Sequence, residues 1–491
     1  MAHHTAEIPA ELDLTPGTIF LEDDGSSAAL HGVKRTGDGI VILHPQPSAD
    51  PNDPLNWPRW QKCLNFAIVC YFTLIVFSIL SVQTITWSAL IEEFGYSITA
   101  LSHSYALNLA GLALGCVFFI PLALMYGRKP VYVFTSVVLT AIVIGIANQK
   151  AIGDLYAQQV LSGLAGATSE TLIQLTVADM FFVHQRGTMN GIYAVMVVTG
   201  NFVAPICAGF IVQSQGWRWV CWYNAIFMGI AALLFIFVYE DTKYISSSLR
   251  IIGQSATIQT SHQQEEPTLG EKGTNMTTSS IHGIERGSSN DARVDPPEIP
   301  RHGYLRRMRL YTMSPGTNPP MYLKHMARPF ILMVRLPALA FVAFQYGILL
   351  CWIAILATTQ ATLFLYPPYN FDSRGIGLLS LAPFLGTALG SIWGGPLNDR
   401  YALWVAKRRK GIHEPEARLH GLVLPLITTP SGLLIYGISV AHGTHWIVPC
   451  IGSFCVGVGI NSSAVILVTY YSDAYREVGR SVYRSVPSTL W

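Results

Sequence analysis

The sequence predicts an all-α integral membrane protein made of two helical bundles, and three observations carry that reading. Of its 491 residues 51% are apolar and only 12% charged, with a mean hydropathy of +0.38, a balance that a water-soluble chain of this size would not carry on its surface. Ten apolar tracts reach the length of about 20 residues needed to cross a bilayer. A long polar stretch divides them six and four. The net charge of +2 gives no ground for a nucleic-acid partner.

Residues 1–57 form a polar tail without the apolar core of a cleaved signal peptide, so the first span serves as the targeting signal. The tail ends in PSADPNDPLNWPRW, whose Trp57 and Trp60 suit the membrane–water interface. The first bundle occupies 58–240, with spans near 63–87, 101–125, 130–148, 156–180, 188–213 and 218–239. Residues 241–334 turn rich in Ser, Thr, Gln, Glu and Pro and read as a disordered cytoplasmic linker. An incomplete second bundle follows at 335–475, with spans near 336–362, 376–397, 420–441 and 446–471. Residues 476–491 read as a cytoplasmic tail, aberrant in sequence.

Basic residues gather in alternate connections: Arg128 and Lys129; Arg186; Arg306, Arg307 and Arg309; and Arg408, Arg409 and Lys410. By the positive-inside rule both termini and the linker are cytoplasmic, which leaves the sequon at Asn275 on the unglycosylated side. The eight cysteines lie almost entirely in apolar tracts without paired spacings, so neither a disulfide framework nor a zinc site is expected and they read as packing residues.

The most informative residue is Glu170. A carboxylate in the middle of a span costs roughly 2.5–3.5 kcal/mol and by default marks an ion or substrate path. Gln159, Gly163, Gly166, Glu170 and Gln174 are spaced to share one helix face, which can line a cavity or pack tightly against another helix. Asp179 is expected near the cytoplasmic end, satisfied by water and Arg186 as a gate or hinge pair. Gly200, Ala204 and Ala208, four apart, with Pro205 and Gly209, suit a close-packed, bent helix that acts as a bearing between bundles. Gln174, Asn201, Gln345, Trp352 and Asn461 are candidate cavity residues. One acid, several amides and aromatic faces fit a cationic or amphipathic organic solute, although for each residue alone packing is an equal reading. Neither a phosphate-binding Gly-rich loop with a following lysine nor histidines at metal-ligand spacing occur, so no cofactor, metal or enzymatic chemistry is expected.

These residues are joined by GRKPVY (127–132), ADMFFVHQRGT (178–188), GWRW (216–219), YEDTKY (239–244) and GGPLNDR (394–400). Over about residues 50–475 the chain resembles fungal major facilitator superfamily transporters of the drug:proton antiporter type, in particular the branch with PNDPLNWP before the first span. The resemblance implies two related bundles rocking about a central site, with Gly127, Arg128, Lys129, Asp399 and Arg400 as loop-motif gating residues and Gly200, Pro205 and Gly209 in the antiporter motif. It implies a monomer in the bilayer exchanging a small solute for protons through Glu170, at the plasma membrane rather than the vacuole, in the direction of export. Proton-coupled uptake, of a polyamine for example, is the alternative transport reading.

Three departures stand out. Leu124 and Met125 occupy positions where the family usually has Asp and Arg, so the charged latch is expected to survive only at Asp399 and Arg400. Gln159 stands where an arginine is frequent. The chain stops after its tenth span whereas the family has twelve, so two helices are expected to be missing and a truncated, non-transporting membrane protein is the third reading.

Overall fold

The computed structural model describes residues 19–20, 48, 50–244, 303, 307–310, 319–408, 412–413 and 415–474. The sequon at Asn275, residues Arg306, Arg409 and Lys410, and the tail from 475 lie outside them. Among the described residues sixteen α-helices carry the fold, with a two-residue antiparallel pairing of Ile19–Phe20 and Ile412–His413 beside them.

The first half comprises α1 (Arg59–Val82), α2 (Trp87–Phe94), α3 (Ile98–Tyr126), α4 (Arg128–Ala147), α5 (Ile152–Gly166), α6 (Thr168–Met180), α7 (Val183–Val198), α8 (Ala204–Gln215) and α9 (Trp217–Phe237). The second follows a helix α10 (Pro319–Arg335) and comprises α11 (Pro337–Leu363), α12 (Ser373–Leu379), α13 (Leu381–Ile392), α14 (Asn398–Arg408), α15 (Val423–Ala441) and α16 (Ile447–Ala474). Among the described residues nine helices are long and apolar enough to cross a membrane.

The reading of ten single spans differs at the fourth. Residues 156–180 arrive as α5 and α6, of 15 and 13 residues, joined at Ala167. The cause is local. The hydroxyls of Thr168, Ser169 and Thr171 donate to the carbonyls of Ala165 (2.9 Å), Gly166 (2.9 Å) and Ala167 (3.0 Å), competing with the helical ladder where Gly163 and Gly166 already weaken it. Ala167 keeps right-handed helical angles, so the two pieces continue one another over roughly 40 Å.

Aromatic packing fixes the core of the first half. Phe72, Tyr132, Phe235 and Tyr239 are fully buried, with Tyr132 and Phe235 stacked at 4.8 Å and Phe72 edge-on to both. Elsewhere glycine replaces side chains as the contact. A methyl on Gly163 would stand 2.0 Å from the carbonyl oxygen of Asn108, and one on Gly115 2.2 Å from that of Leu164, so α3 and α5 meet backbone to backbone. The same device recurs in the second half, where Gly386 and Gly390 of α13 lie against the carbonyls of Phe454 and Val458 of α16. The second and fourth helical layers of each half thus pair in the same way, as expected of related bundles.

The cysteines depart from their reading. Cys70 is buried, but Cys63, Cys207 and Cys351 are exposed on their helices.

Candidate functional site

Glu170 falls in the first turn of α6. It stands within electrostatic reach of Cys116 on α3, Tyr193 on α7 and Tyr346 on α11. Among the described residues no hydrogen bond or ion pair reaches its carboxylate. One tyrosine of each half thus lies close enough to feel its charge. Both tyrosines escaped the sequence reading. The only available signal was the position of Tyr346 beside the candidate Gln345.

The expected shared face of five residues breaks at Ala167. Gln159 and Gly163 are buried against α3, where the amide of Asn108 donates to Gln159 Oε1 (2.9 Å) and to Ser162 Oγ (2.7 Å). Gly166 approaches Val76 of α1. Gln174 is exposed. Packing accounts for the first three residues of that face, whereas Glu170 is half-buried and Gln174 exposed.

A narrow space of about 60 Å³ lies between the halves. Asn201, Pro205 and Tyr105 line it from the first half, and Gln360, Ser380 and Thr387 from the second. Asn201, one of the candidate cavity residues, is among those that line this space. Gln360, which was not singled out, is buried and donates to Ser453 Oγ at 3.1 Å. Asn461 is held in packing, donating to Thr387 O (2.8 Å) and Ser391 Oγ (2.6 Å), so it ties α16 to α13. Trp352 packs on the core of the second half with Leu349 and Leu356. Gln345 is half-buried on α11.

The Gly200–Gly209 stripe has two neighbours. Gly200 abuts α1 at Leu74 and Phe77, and Ser81 Oγ donates to its carbonyl at 2.9 Å. Gly209 abuts the carbonyl of Ser373 on α12, while Gly377 of α12 abuts that of Pro205. Gln213 Nε2 donates to Asp372 Oδ2 at 2.8 Å, and the hydroxyls of Ser88 and Ser373 share a hydrogen bond of 2.7 Å. At this seam the halves touch. At the same end GWRW has a structural role: Trp217 Nε1 and Arg218 both bond Glu93, at 2.7 and 2.5 Å.

At the face carrying the loop motifs, Gly127 takes φ +108°, and a methyl there would meet Asp241. Glycine is therefore required, and it lets Arg128 N donate to Asp241 Oδ1 at 3.0 Å. The Arg128 side chain pairs with Asp179 at 2.9 Å. This corrects the reading in two ways. Asp179 is held by Arg128, while Arg186 donates to the carbonyls of Ala178 (2.7 Å) and Phe181 (3.1 Å) at the end of α6. The first half also keeps a charged cluster although Leu124 and Met125 replace the usual ions. Lys129 is fully buried, with Nζ 3.2 Å from Met308 Sδ. In the second half Asp399 pairs with Arg418, and Arg400 is exposed. Asp399 and Arg400 therefore do not form the latch as a pair.

YEDTKY closes this face. Glu240 accepts from Gln61 (2.8 Å) and lies 3.6 Å from Arg307, Lys243 Nζ donates to Met125 O (2.7 Å), and Tyr244 donates to Asp50 (3.1 Å). Burial, with the nearby Arg128, pulls the Lys243 ammonium down to about 8, and burial pushes Glu240 up. The amino-terminal PNDPLN turn is capped by Asp53, which accepts from Leu55 N at 3.0 Å.

The family model described as Major Facilitator Superfamily matches residues 67–483. The chain is 29% identical to an uncharacterized MFS-type transporter of Schizosaccharomyces pombe, over 94% of this chain and 81% of that protein. It is 26% identical to protein HOL1 of Saccharomyces cerevisiae (95% and 85%) and 25% identical to efflux pump radE of Floropilus chiversii (96% and 81%). Among solved structures, the xylose transporter XylE from E. coli, in a partially occluded inward-open conformation, aligns with a TM-score of 0.49 at 9% identity over 84% of this chain and 92% of that one. A family match across most of the chain, on a multi-pass helical fold of two related halves, establishes that the protein belongs to the Major Facilitator Superfamily of membrane transporters.

Proposed function

We propose that the chain is a proton-coupled carrier that exports a small cationic or amphipathic organic solute by alternating access of its two halves. The observation that carries this reading is the Glu170 carboxylate, without a hydrogen-bond or ion-pair partner among the described residues and within electrostatic reach of Tyr193 and Tyr346 from opposite halves. An unpaired charge at that depth is costly. A proton removes the cost while the empty carrier reorients, and a bound cation removes it for the loaded one. The two phenol rings add aromatic groups that attract a cation, and Asn201 and Gln360 supply amides to the space between the halves. The seam of α8 against α12 gives the halves a contact to open and close. A relative named as an efflux pump favours export, and the PNDPLNWP, ADMFFVHQRGT and Gly200–Gly209 motifs favour the drug:proton antiporter branch.

The test is transport by the purified chain in proteoliposomes under an imposed pH gradient, with a fluorescent organic cation as probe. The wild type drives accumulation that collapses with the gradient. Glu170→Gln keeps its yield and its elution profile but falls to the level of protein-free vesicles. Full gradient-driven accumulation by the variant overturns the assignment of the proton to Glu170, and absence of flux in the wild type favours a non-transporting protein.

A further inference from the structure

We propose that α10 is an in-plane anchor that lays one face among the acyl chains and the opposite face against anionic phospholipid headgroups. The helix reads PPMYLKHMARPFILMVR and contains no acidic residue. At 3.6 residues per turn Leu323, Met326, Phe330, Met333 and Val334 fall on one side, whereas Lys324, Arg328 and Arg335 fall within ~40° of one another on the other. The apolar side is uncovered: Leu323 is 66% exposed, Phe330 57% and Val334 87%.

The surroundings select the bilayer as its occupant. One edge of α10 is fixed to α3, where Tyr322 donates to the carbonyl of Phe118 at 3.1 Å and the two rings meet edge to face. Phe118 and Leu114 are themselves exposed on α3, and Phe341 and Phe344 are exposed at the start of α11. The bare face of α10 is therefore continuous with the outward faces of two membrane spans. A helix with an apolar side, a stripe of three basic residues on the opposite side and direct attachment to a span matches the pattern of interfacial helices, whose binding adds apolar burial to attraction for anionic lipid.

The experiment uses the full chain, with the exposed Cys63, Cys207 and Cys351 changed to serine and a polarity-sensitive fluorophore on Val334→Cys. The protein is reconstituted into vesicles of phosphatidylcholine alone or of phosphatidylcholine and phosphatidylserine at 7:3, with nitroxide on the upper acyl chain as quencher. Lipid nitroxide is expected to quench the label and aqueous iodide to leave it bright. Quenching is expected to be stronger with phosphatidylserine, and this gain is lost in the Lys324→Gln, Arg328→Gln, Arg335→Gln variant. Quenching by iodide alone overturns the proposal by leaving the face in water. Protection from both quenchers overturns it in favour of a second copy or another protein on the face. Equal lipid quenching with and without phosphatidylserine overturns its anionic-headgroup half.

Discussion

At Glu170 the chain keeps an acid whose neighbours include two tyrosines and, among the described residues, no counter-ion. Tyr346 is the partner that crosses from the other half, and its ring makes a specific difference to a cationic solute. Tyr346→Leu is expected to raise KM for a cationic probe by roughly tenfold, in line with a cation–aromatic contact of about 1–2 kcal/mol, while the dependence on the proton gradient persists. Initial rates across a concentration series check both. Arg128 is a different kind of charge, structural and almost fully covered, with Asp179 24% exposed as its partner. Arg128→Gln strands that carboxylate and is expected to cost about 3 kcal/mol, whereas Arg128→Gln with Asp179→Asn restores most of the loss; denaturant unfolding in detergent measures the pair. Lys243, outside the spans, links stability to pH. Its folded value near 8 lies below the ordinary 10.5, so between those limits the unfolded chain holds more protons and stability rises with pH. Lys243→Met should flatten the rise between pH 8 and 10.5 in melting curves.

At the scale of helices, the decisive contacts are those where a side chain is missing. Gly163→Ala puts a methyl 2.0 Å from a carbonyl oxygen of α3, with backbone on both sides and no rotamer to yield. The expected cost is about 3 kcal/mol or more, seen as a loss of monodisperse protein on gel filtration, while Gly347→Ala, where nothing lies within 4 Å, is expected to elute unchanged. Hydropathy and length made the spans legible, because lipid-facing residues and packed residues are both apolar. The interruption at Ala167 was less legible. Its signal, three hydroxyl residues beside two glycines, also fits an unbroken polar helix face. The site divided in the same way. Glu170 stood out because an acid in a span is costly wherever it points. Gln345, Trp352 and Asn461 could not be sorted into cavity and packing, since both uses favour the same residue types and only the partner helix decides. The loop motifs showed which charges matter but misassigned their pairs, because Arg128 and Asp179 lie 51 positions apart.

For the whole molecule, the two halves meet at the α8–α12 seam, and the proposed carrier must part them there. Cysteines at 213 and 372, where Gln213 now bonds Asp372, should stop flux when joined by a short bifunctional reagent and recover it when the link is reduced. The small-residue stripe of the fifth span pointed to a bearing between bundles but not to α12 as its neighbour, since that depends on how one half lies on the other. The seam's composition has a further consequence. Gly209 and Gly377 meet backbone carbonyls of the opposing helix, so these contacts freeze and release no side-chain rotamers of their own, and the side-chain part of the seam is confined to a few bonds such as Gln213–Asp372 and Ser88–Ser373. A surface without interlocking knobs can separate and rejoin with little entropic hysteresis, much as two smooth plates part more readily than two gears. The same smoothness makes it easy to wedge: a leucine at 377 would prop the plates apart and hold the molecule in whichever state keeps that end open.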